Sequence, residues 1–166
     1  MSPAYSLFPQ ASVTGVNAKL GLGNDSLDAR YCNVKIIADG EGGNDTILGG
    51  TGDDFLMGGL DNDLVDGGEG ADSVYGNGGK DNLNGGPGRD RVDGGKSNDI
   101  CHGGSSNDRI IGGEGSDEMY GDGGDDLMYS GGIYKDYLYG GTGTDFAYCD
   151  GDDVLASIES CKVDLT

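Results

Sequence analysis

Basic residues are scarce in this chain. Only 10 Lys and Arg stand against 30 Asp and Glu, a formal charge of -20 at neutral pH over 166 residues. Nucleic acids and anionic membranes both need Lys and Arg on the face that binds them, so neither is expected as a partner. Long apolar runs are missing as well. None reaches the roughly 18 residues of a membrane span, and the opening MSPAYSLFPQ lacks the basic region and apolar stretch of a secretory signal, so none is expected within it. Large aliphatic and aromatic residues are few: Leu, Ile, Val and Phe together make 32 of 166. A highly charged chain this poor in apolar residues is disordered by composition alone.

The pattern of what is present overrules that composition. From Gly49 the chain divides without a gap into GGTGDDFLM, GGLDNDLVD, GGEGADSVY, GNGGKDNLN, GGPGRDRVD, GGKSNDICH, GGSSNDRII, GGEGSDEMY and GDGGDDLMY, ending at Tyr129. The shared rule is Gly-Gly-x-Gly-x-Asp-x-U-x, with U apolar. A disordered acidic tract has no reason to keep an apolar residue two places after each Asp. Composition and periodicity agree if the chain is disordered alone and ordered with a cation.

Within each unit the first part reads as a turn and the last three residues as a short strand. Glycines at the first, second and fourth positions permit positive φ and close backbone approach. The eighth residue then points inward and its neighbours outward. Those eighth residues are Leu56, Val65, Val74, Leu83, Val92, Cys101, Ile110, Met119 and Met128, all apolar. One such residue in nine makes no globular core, but stacked coils can share a thin one. Two units make an 18-residue coil with two turns on opposite sides, and like turns then pile up at roughly the 4.8 Å strand spacing. GLGNDSL and GEGGNDTIL extend the pattern toward the N-terminus, with two extra residues within ARYCNVKIIAD. GGIYKDYLY and GGTGTDFAY extend it toward the C-terminus after an inserted Ser130. The expected organisation is one domain: an N-terminal capping strand within residues 1–20, a repeat body over 21–148 and a C-terminal cap over 149–166.

Thirteen aspartates hold the sixth position: Asp25, Asp45, Asp54, Asp63, Asp72, Asp81, Asp90, Asp99, Asp108, Asp117, Asp126, Asp136 and Asp145. Stacking sets each above another two repeats on, such as Asp54 with Asp72 or Asp63 with Asp81. Two carboxylates about 5 Å apart repel by roughly 1–3 kcal/mol at effective dielectrics of 80 to 20. A stack of such pairs needs a cation. Ca²⁺ suits it, because it accepts six to eight oxygens in flexible geometry and glycine turns offer carbonyls beside the carboxylates. Mg²⁺ holds its waters, and Zn²⁺ prefers His or Cys, which the turns almost lack. About 8–11 Ca²⁺ ions would nearly neutralise the chain.

On this run of nonapeptides the chain resembles the repeats-in-toxin, or hemolysin-type calcium-binding, family across roughly residues 21–148. The resemblance implies an all-β fold, a right-handed parallel β-roll (β-solenoid) of 18-residue coils with Ca²⁺ in the turns on both sides. It implies ligation by the sixth-position aspartates and turn carbonyls, secretion to the extracellular space, and folding that waits for calcium there. The family serves as a carboxy-terminal module of secreted proteases, lipases and toxins, in adhesins and surface layers, and in ice-binding domains. Three roles follow as alternatives: a secreted, non-enzymatic calcium-loaded β-roll, the stabilising or secretion module of a larger exoenzyme or toxin, and an extracellular matrix, adhesion or mineral-associated protein. Ice binding in the family goes with Thr at the third and Asn at the fifth position of many turns, an array absent here (Glu69 with Ala71, Pro87 with Arg89). Departures from the rule are Asp61, Ser97, Ser106 and Tyr134 at the fourth position and Asn77 and Asp122 at the second. Tyr134 is the bulkiest, so the turn from Gly131 to Asp136 is expected to be the poorest site.

Of four cysteines, Cys101 takes an inward position and reads as a buried thiol. Cys149 and Cys161 flank the irregular last coil and could be bridged, while Cys32 and Cys101 lie several coils apart and cannot pair. His102 is the one histidine, and its outward position beside inward Cys101 argues against a Cys-His site. No nucleophile, base and acid set stands out, so no enzyme is expected. Tyr120, Tyr129, Tyr139 and Tyr148, with Tyr137 and Phe146, form an outward aromatic strip on each sheet near the C-terminus. It either shields the sheet or offers a contact surface to a protein, a glycan or a second copy.

Overall fold

The structure, a computed structural model, describes residues 14–163. The first 13 residues of the expected N-terminal cap and the last three of the C-terminal cap lie outside the described residues. Among the described residues there is no helix. The strands are β1 (Gly15–Leu22), β2 (Ser26–Asp28), β3 (Lys35–Gly42), β4 (Thr46–Leu48), β5 (Phe55–Leu60), β6 (Leu64–Asp66), β7 (Ser73–Gly78), β8 (Asn82–Pro87), β9 (Arg91–Lys96), β10 (Ile100–Ser105), β11 (Arg109–Glu114), β12 (Glu118–Gly123), β13 (Leu127–Tyr129), β14 (Tyr137–Tyr139), β15 (Phe146–Cys149), β16 (Val154–Ala156) and β17 (Ser160–Val163). Odd strands form one sheet and even strands the other, each in sequence order. Every pairing is parallel, because each coil gives one strand to each sheet. The chain folds as a parallel β-roll.

Register follows from the inward residues. Leu56 pairs with Val74, Val74 with Val92, Val92 with Ile110 and Ile110 with Met128 in one sheet. Val65, Leu83, Cys101, Met119 and Leu138 run likewise through the other. From Ala38 and Ile47 to Ala147 and Leu138 these side chains are fully buried and form one continuous core. A slip of one residue would turn this column out to water, so the alternation fixes the register.

Three places depart from the 18-residue spacing. Gly15 pairs with Lys35 and Ser26 with Thr46, so the two extra residues lie in the turn before β3, as expected. That turn sets Ile36 where Asp54 stands one coil later, since Ile36 N–H donates to Asp54 Oδ1 at 2.7 Å. The second departure corrects the reading of Ser130 as an insertion. Ser130 is buried and occupies a first-position seat, its N–H donating to Tyr148 O and its carbonyl accepting from Gly113 N. The extra residue therefore falls within 131–135, where Gly131 (φ 79°) and Gly132 (φ 49°) take the left-handed conformations. Tyr134 is not among the positive-φ residues and is exposed, so its bulk meets no steric limit. Third, the last coil is short: Tyr137 pairs with Val154 and Phe146 with Ser160.

Other substitutions of turn glycines are accommodated in the left-handed region. Asp61 (φ 72°), Asn77 (74°), Ser97 (77°), Ser106 (86°) and Asp122 (67°) all lie there, where short polar side chains are tolerated. Gly79 (φ 137°) lies beyond it, and a β-carbon there would collide with the Asp61 carbonyl one coil back. The C-terminal cap covers the core unevenly. Ile158 and Cys161 pack on the core, but Val154 faces outward and Leu155, paired with Leu138, is 38% exposed at the open end.

Candidate metal centre

The sixth position is the last turn residue before each strand, and the reversal there carries its side chain inside the turn. Asp25 is half-buried, and the other twelve sixth-position aspartates are buried. They form two ladders. In the first, each Oδ1 accepts the N–H of the aspartate one coil back, running Asp25, Asp45, Asp63, Asp81, Asp99, Asp117 and Asp136 at 2.7–2.9 Å. In the second, Asp54, Asp72, Asp90, Asp108, Asp126 and Asp145 are joined in the same way.

The other oxygen is left alone. Twelve of the thirteen Oδ2 atoms are buried without a hydrogen-bond partner, and the exception, Asp54 Oδ2, accepts from Gly50 N at 2.9 Å. A buried, unpaired carboxylate oxygen is costly unless a cation compensates it. All the Oδ2 atoms but those of Asp25 and Asp136 also stand against a glycine that has no β-carbon to fill the approach. A β-carbon on Gly94 would lie 2.6 Å from both Asp99 Oδ2 and Gly112 O. At Gly67 the same construction meets Asp72 Oδ2 at 2.6 Å and Gly85 O at 2.5 Å. A carboxylate oxygen of one coil and a carbonyl of the next thus converge on one recess, repeated along both sides of the roll. Among the described residues no three His, Cys, Asp or Glu side chains converge on one point. A centre here is built from one or two carboxylates and backbone carbonyls, a hard oxygen set that suits Ca²⁺.

Electrostatics point the same way. Burial pushes the Asp99 carboxyl up to about 8 and those of Asp72, Asp108 and Asp136 up to about 7, against the backbone hydrogen bond that lowers each. The carboxylates one coil above and below raise Asp99, Asp72 and Asp108 further. Burial likewise carries Asp63, Asp81, Asp90, Asp117 and Asp126 to about 6. Without a cation the fold disfavours the charges it has stacked.

The model of the RTX calcium-binding nonapeptide repeat (4 copies) matches residues 39–74, 75–110 and 102–132. The chain belongs to the RTX calcium-binding nonapeptide repeat family. No curated protein matches it. Membership supports calcium binding by a structural module.

The RTX ladders run past the repeats that signalled them. Asp136 N–H donates to Asp153 Oδ1 at 3.0 Å, and Asp145 N–H donates to Glu159 Oε2, so both acids stand in ladder seats that the glycine rule does not mark. A signal was present: Asp153-Val154-Leu155 and Glu159-Ser160-Cys161 each keep an acid two places before an inward residue. A second row was also missed. Asn44 Oδ1 accepts Asn62 N–H at 3.0 Å and Asn62 Oδ1 accepts Lys80 N–H at 2.7 Å, an exposed fifth-position row that satisfies turn amides.

Cys149 and Cys161 are disulfide-bonded, with Cα atoms 6.2 Å apart, and Cys32 and Cys101 are free. Cys101 is buried in the core, where loss of water pushes its thiol up. His102 points the other way, stacked on Tyr120 at 4.5 Å with Nδ1 2.9 Å from Asp122 Oδ2. Tyr120 stacks on Tyr139 and Tyr129 on Tyr148, both at 4.8 Å. The rings thus spend faces on each other, on His102 and on Arg109, whose guanidinium lies 4.5 Å from the Tyr129 ring.

Proposed function

We propose that this chain is a secreted, non-catalytic calcium-binding β-roll whose folding is switched on by extracellular Ca²⁺. The observation that carries the proposal is the double row of buried Oδ2 atoms, twelve of thirteen without a partner and nine of those set with a carbonyl of the next coil against one glycine. The ligands in this reading are Asp25, Asp45, Asp54, Asp63, Asp72, Asp81, Asp90, Asp99, Asp108, Asp117, Asp126, Asp136 and Asp145 with turn carbonyls, and residues 1–20, 21–148 and 149–166 act as cap, body and cap of one unit. The ions are structural: they neutralise the ladders and hold successive turns together.

Position rather than charge is expected to govern the calcium response. Asp90→Ala removes the acceptor of Asp72 N–H and the Oδ2 of one recess. Losing a hydrogen bond to a charged group costs about 1.5–3 kcal/mol, so the calcium midpoint followed by circular dichroism should rise severalfold. Glu114→Ala deletes the same charge from an exposed position and should leave it nearly unchanged. Asp93 is a poorer control, because Arg91 Nη2 lies 2.6 Å from its Oδ2. Equal midpoints for the Asp90 and Glu114 variants would show that bulk charge alone is at work.

The raised carboxyls set a pH dependence. Aspartates near 3.8 when exposed and about 6–8 in the metal-free roll bind protons more tightly folded than unfolded. Their contribution to the metal-free fold is full below about 3.8 and is lost as pH rises through 6–8. In EDTA the chain is therefore expected to gain β-structure as pH falls from 8 to 5, while the calcium midpoint rises because protons compete for the same oxygens. Circular dichroism that is flat with pH in EDTA, with a constant midpoint, would contradict both.

A further inference from the structure

The family match ends at residue 132, yet the irregular last coil rebuilds the recess with different residues. Asp145 is 1% exposed and its Oδ2 has no partner. A β-carbon on Gly140 would collide with both that Oδ2 and the carbonyl of Ser157. This is the arrangement at Gly67, where Asp72 Oδ2 and Gly85 O converge. Ser157 therefore sets its carbonyl where a first-position residue would, although its φ of 54° differs from the first-position glycines, none of which has positive φ. Two residues on, Glu159 takes the acid's seat. It accepts Asp145 N–H through Oε2, as Asp145 Oδ1 accepts Asp126 N–H, and it returns its own N–H to Asp145 O.

The glutamate has a geometric reason. Phe146 pairs with Ser160 only 14 residues on, where the regular coil uses 18, so this turn is cut short. The extra methylene of Glu lets a carboxylate reach the ladder from a backbone that a full turn would have brought closer. The Cys149–Cys161 disulfide closes the loop that carries Ser157 and Glu159, and Cys161 pairs with Ala147 in the core column. The turn is thus anchored although, among the described residues, no coil stacks beyond it. Asp153 ends the other ladder differently: both its oxygens are occupied, by the N–H groups of Asp136 and Asp150.

We infer that the last coil completes a terminal Ca²⁺ site, joining Asp145 Oδ2 of the last nonapeptide to the Ser157 carbonyl and the Glu159 carboxylate, which lie outside the repeats. It rests on the reading that the ladder carboxylates bind calcium. Glu159 is exposed, and its second oxygen is free to turn toward the ion from solvent.

The test is calcium stoichiometry of the full, disulfide-intact chain by native mass spectrometry and equilibrium dialysis, for the parent, E159Q and E114Q. E159Q keeps an acceptor for Asp145 N–H but loses the charge. It is expected to bind one Ca²⁺ fewer, or to hold one site about 10–100-fold more weakly, with an unchanged dichroism spectrum at saturating calcium. E114Q, which removes a charge from an exposed position outside the ladders, is expected to match the parent. An E159Q chain with the parent's stoichiometry and affinities would overturn the terminal site while leaving the repeat ladders standing. A parent that binds no calcium would overturn the ladder reading itself. If E159Q did not reach the folded spectrum, E159D, which keeps the charge on a shorter arm, would decide: folded with a weakened terminal site supports the proposal, and folded with parental binding overturns it.

Discussion

In EDTA at neutral pH the chain is expected to be largely disordered, and millimolar Ca²⁺ to restore β-structure in a cooperative transition. The argument rests on eleven stacked aspartate pairs, six in one ladder and five in the other, each linked through a backbone amide. Every pair brings two carboxylates together with a repulsion of roughly 1–3 kcal/mol, and a domain's whole stability is about 5–15 kcal/mol. The apolar column is too thin to overcome that, with one inward residue per nine. Cooperativity follows because each coil rests on its neighbours, so one loaded turn orders the next. Mg²⁺ at equal concentration should do much less, since it sheds its waters reluctantly and demands a tighter octahedron. A metal-free chain with a full β spectrum at pH 7.5 would refute the switch.

Removing residues 149–166 is expected to be nearly as damaging even at saturating calcium. The deletion takes away β16 and β17, and with them the residues stacked on Leu138 and Ala147, both fully buried in the intact chain. Each buried Leu-sized side chain is worth about 1.5–3 kcal/mol. The backbones of β14 and β15 would become open edges, ready to pair with another copy. The disulfide adds a further contribution of about 3 kcal/mol for a loop of this size. The truncated chain should therefore aggregate or fail to fold, as read by light scattering and dichroism. Cys149→Ser should raise the calcium midpoint more than Cys101→Ala, which only trims a small core side chain. A truncated chain with the parent's midpoint would show the last coil to be dispensable. Thiol titration of the unfolded, unreduced protein should find two free thiols, those of Cys32 and Cys101.

The roll was legible in the sequence because its rule is local. A turn that needs glycine at fixed places, an acid in the sixth and an apolar residue in the eighth repeats within nine residues, and stacking follows once each unit must bury that one side chain. The column from Leu56 to Met128 and the pairing of Asp72 with Asp90 needed nothing beyond this period. Where the rule breaks, the chain alone was a poor guide. Ser130 read as an insertion, yet it sits in a repeat seat and the extra residue is absorbed by Gly131 and Gly132. Ile36 holds a ladder seat without a carboxylate, and Glu159 holds one without the glycines.

The sequence by itself determined the coil, its period, the inward column and the acids of the two ladders, because each depends on residues a few places apart. Only the tertiary structure decided which oxygen of each aspartate is spent and which is left over. One accepts an amide 18 residues away, and the other is buried against a carbonyl of the following coil. Stacking also decided how the ladders end, at Asp153 with both oxygens filled and at Glu159 with one exposed to solvent. Those partners belong to neighbouring coils, and no local pattern specifies what the next coil places opposite an atom.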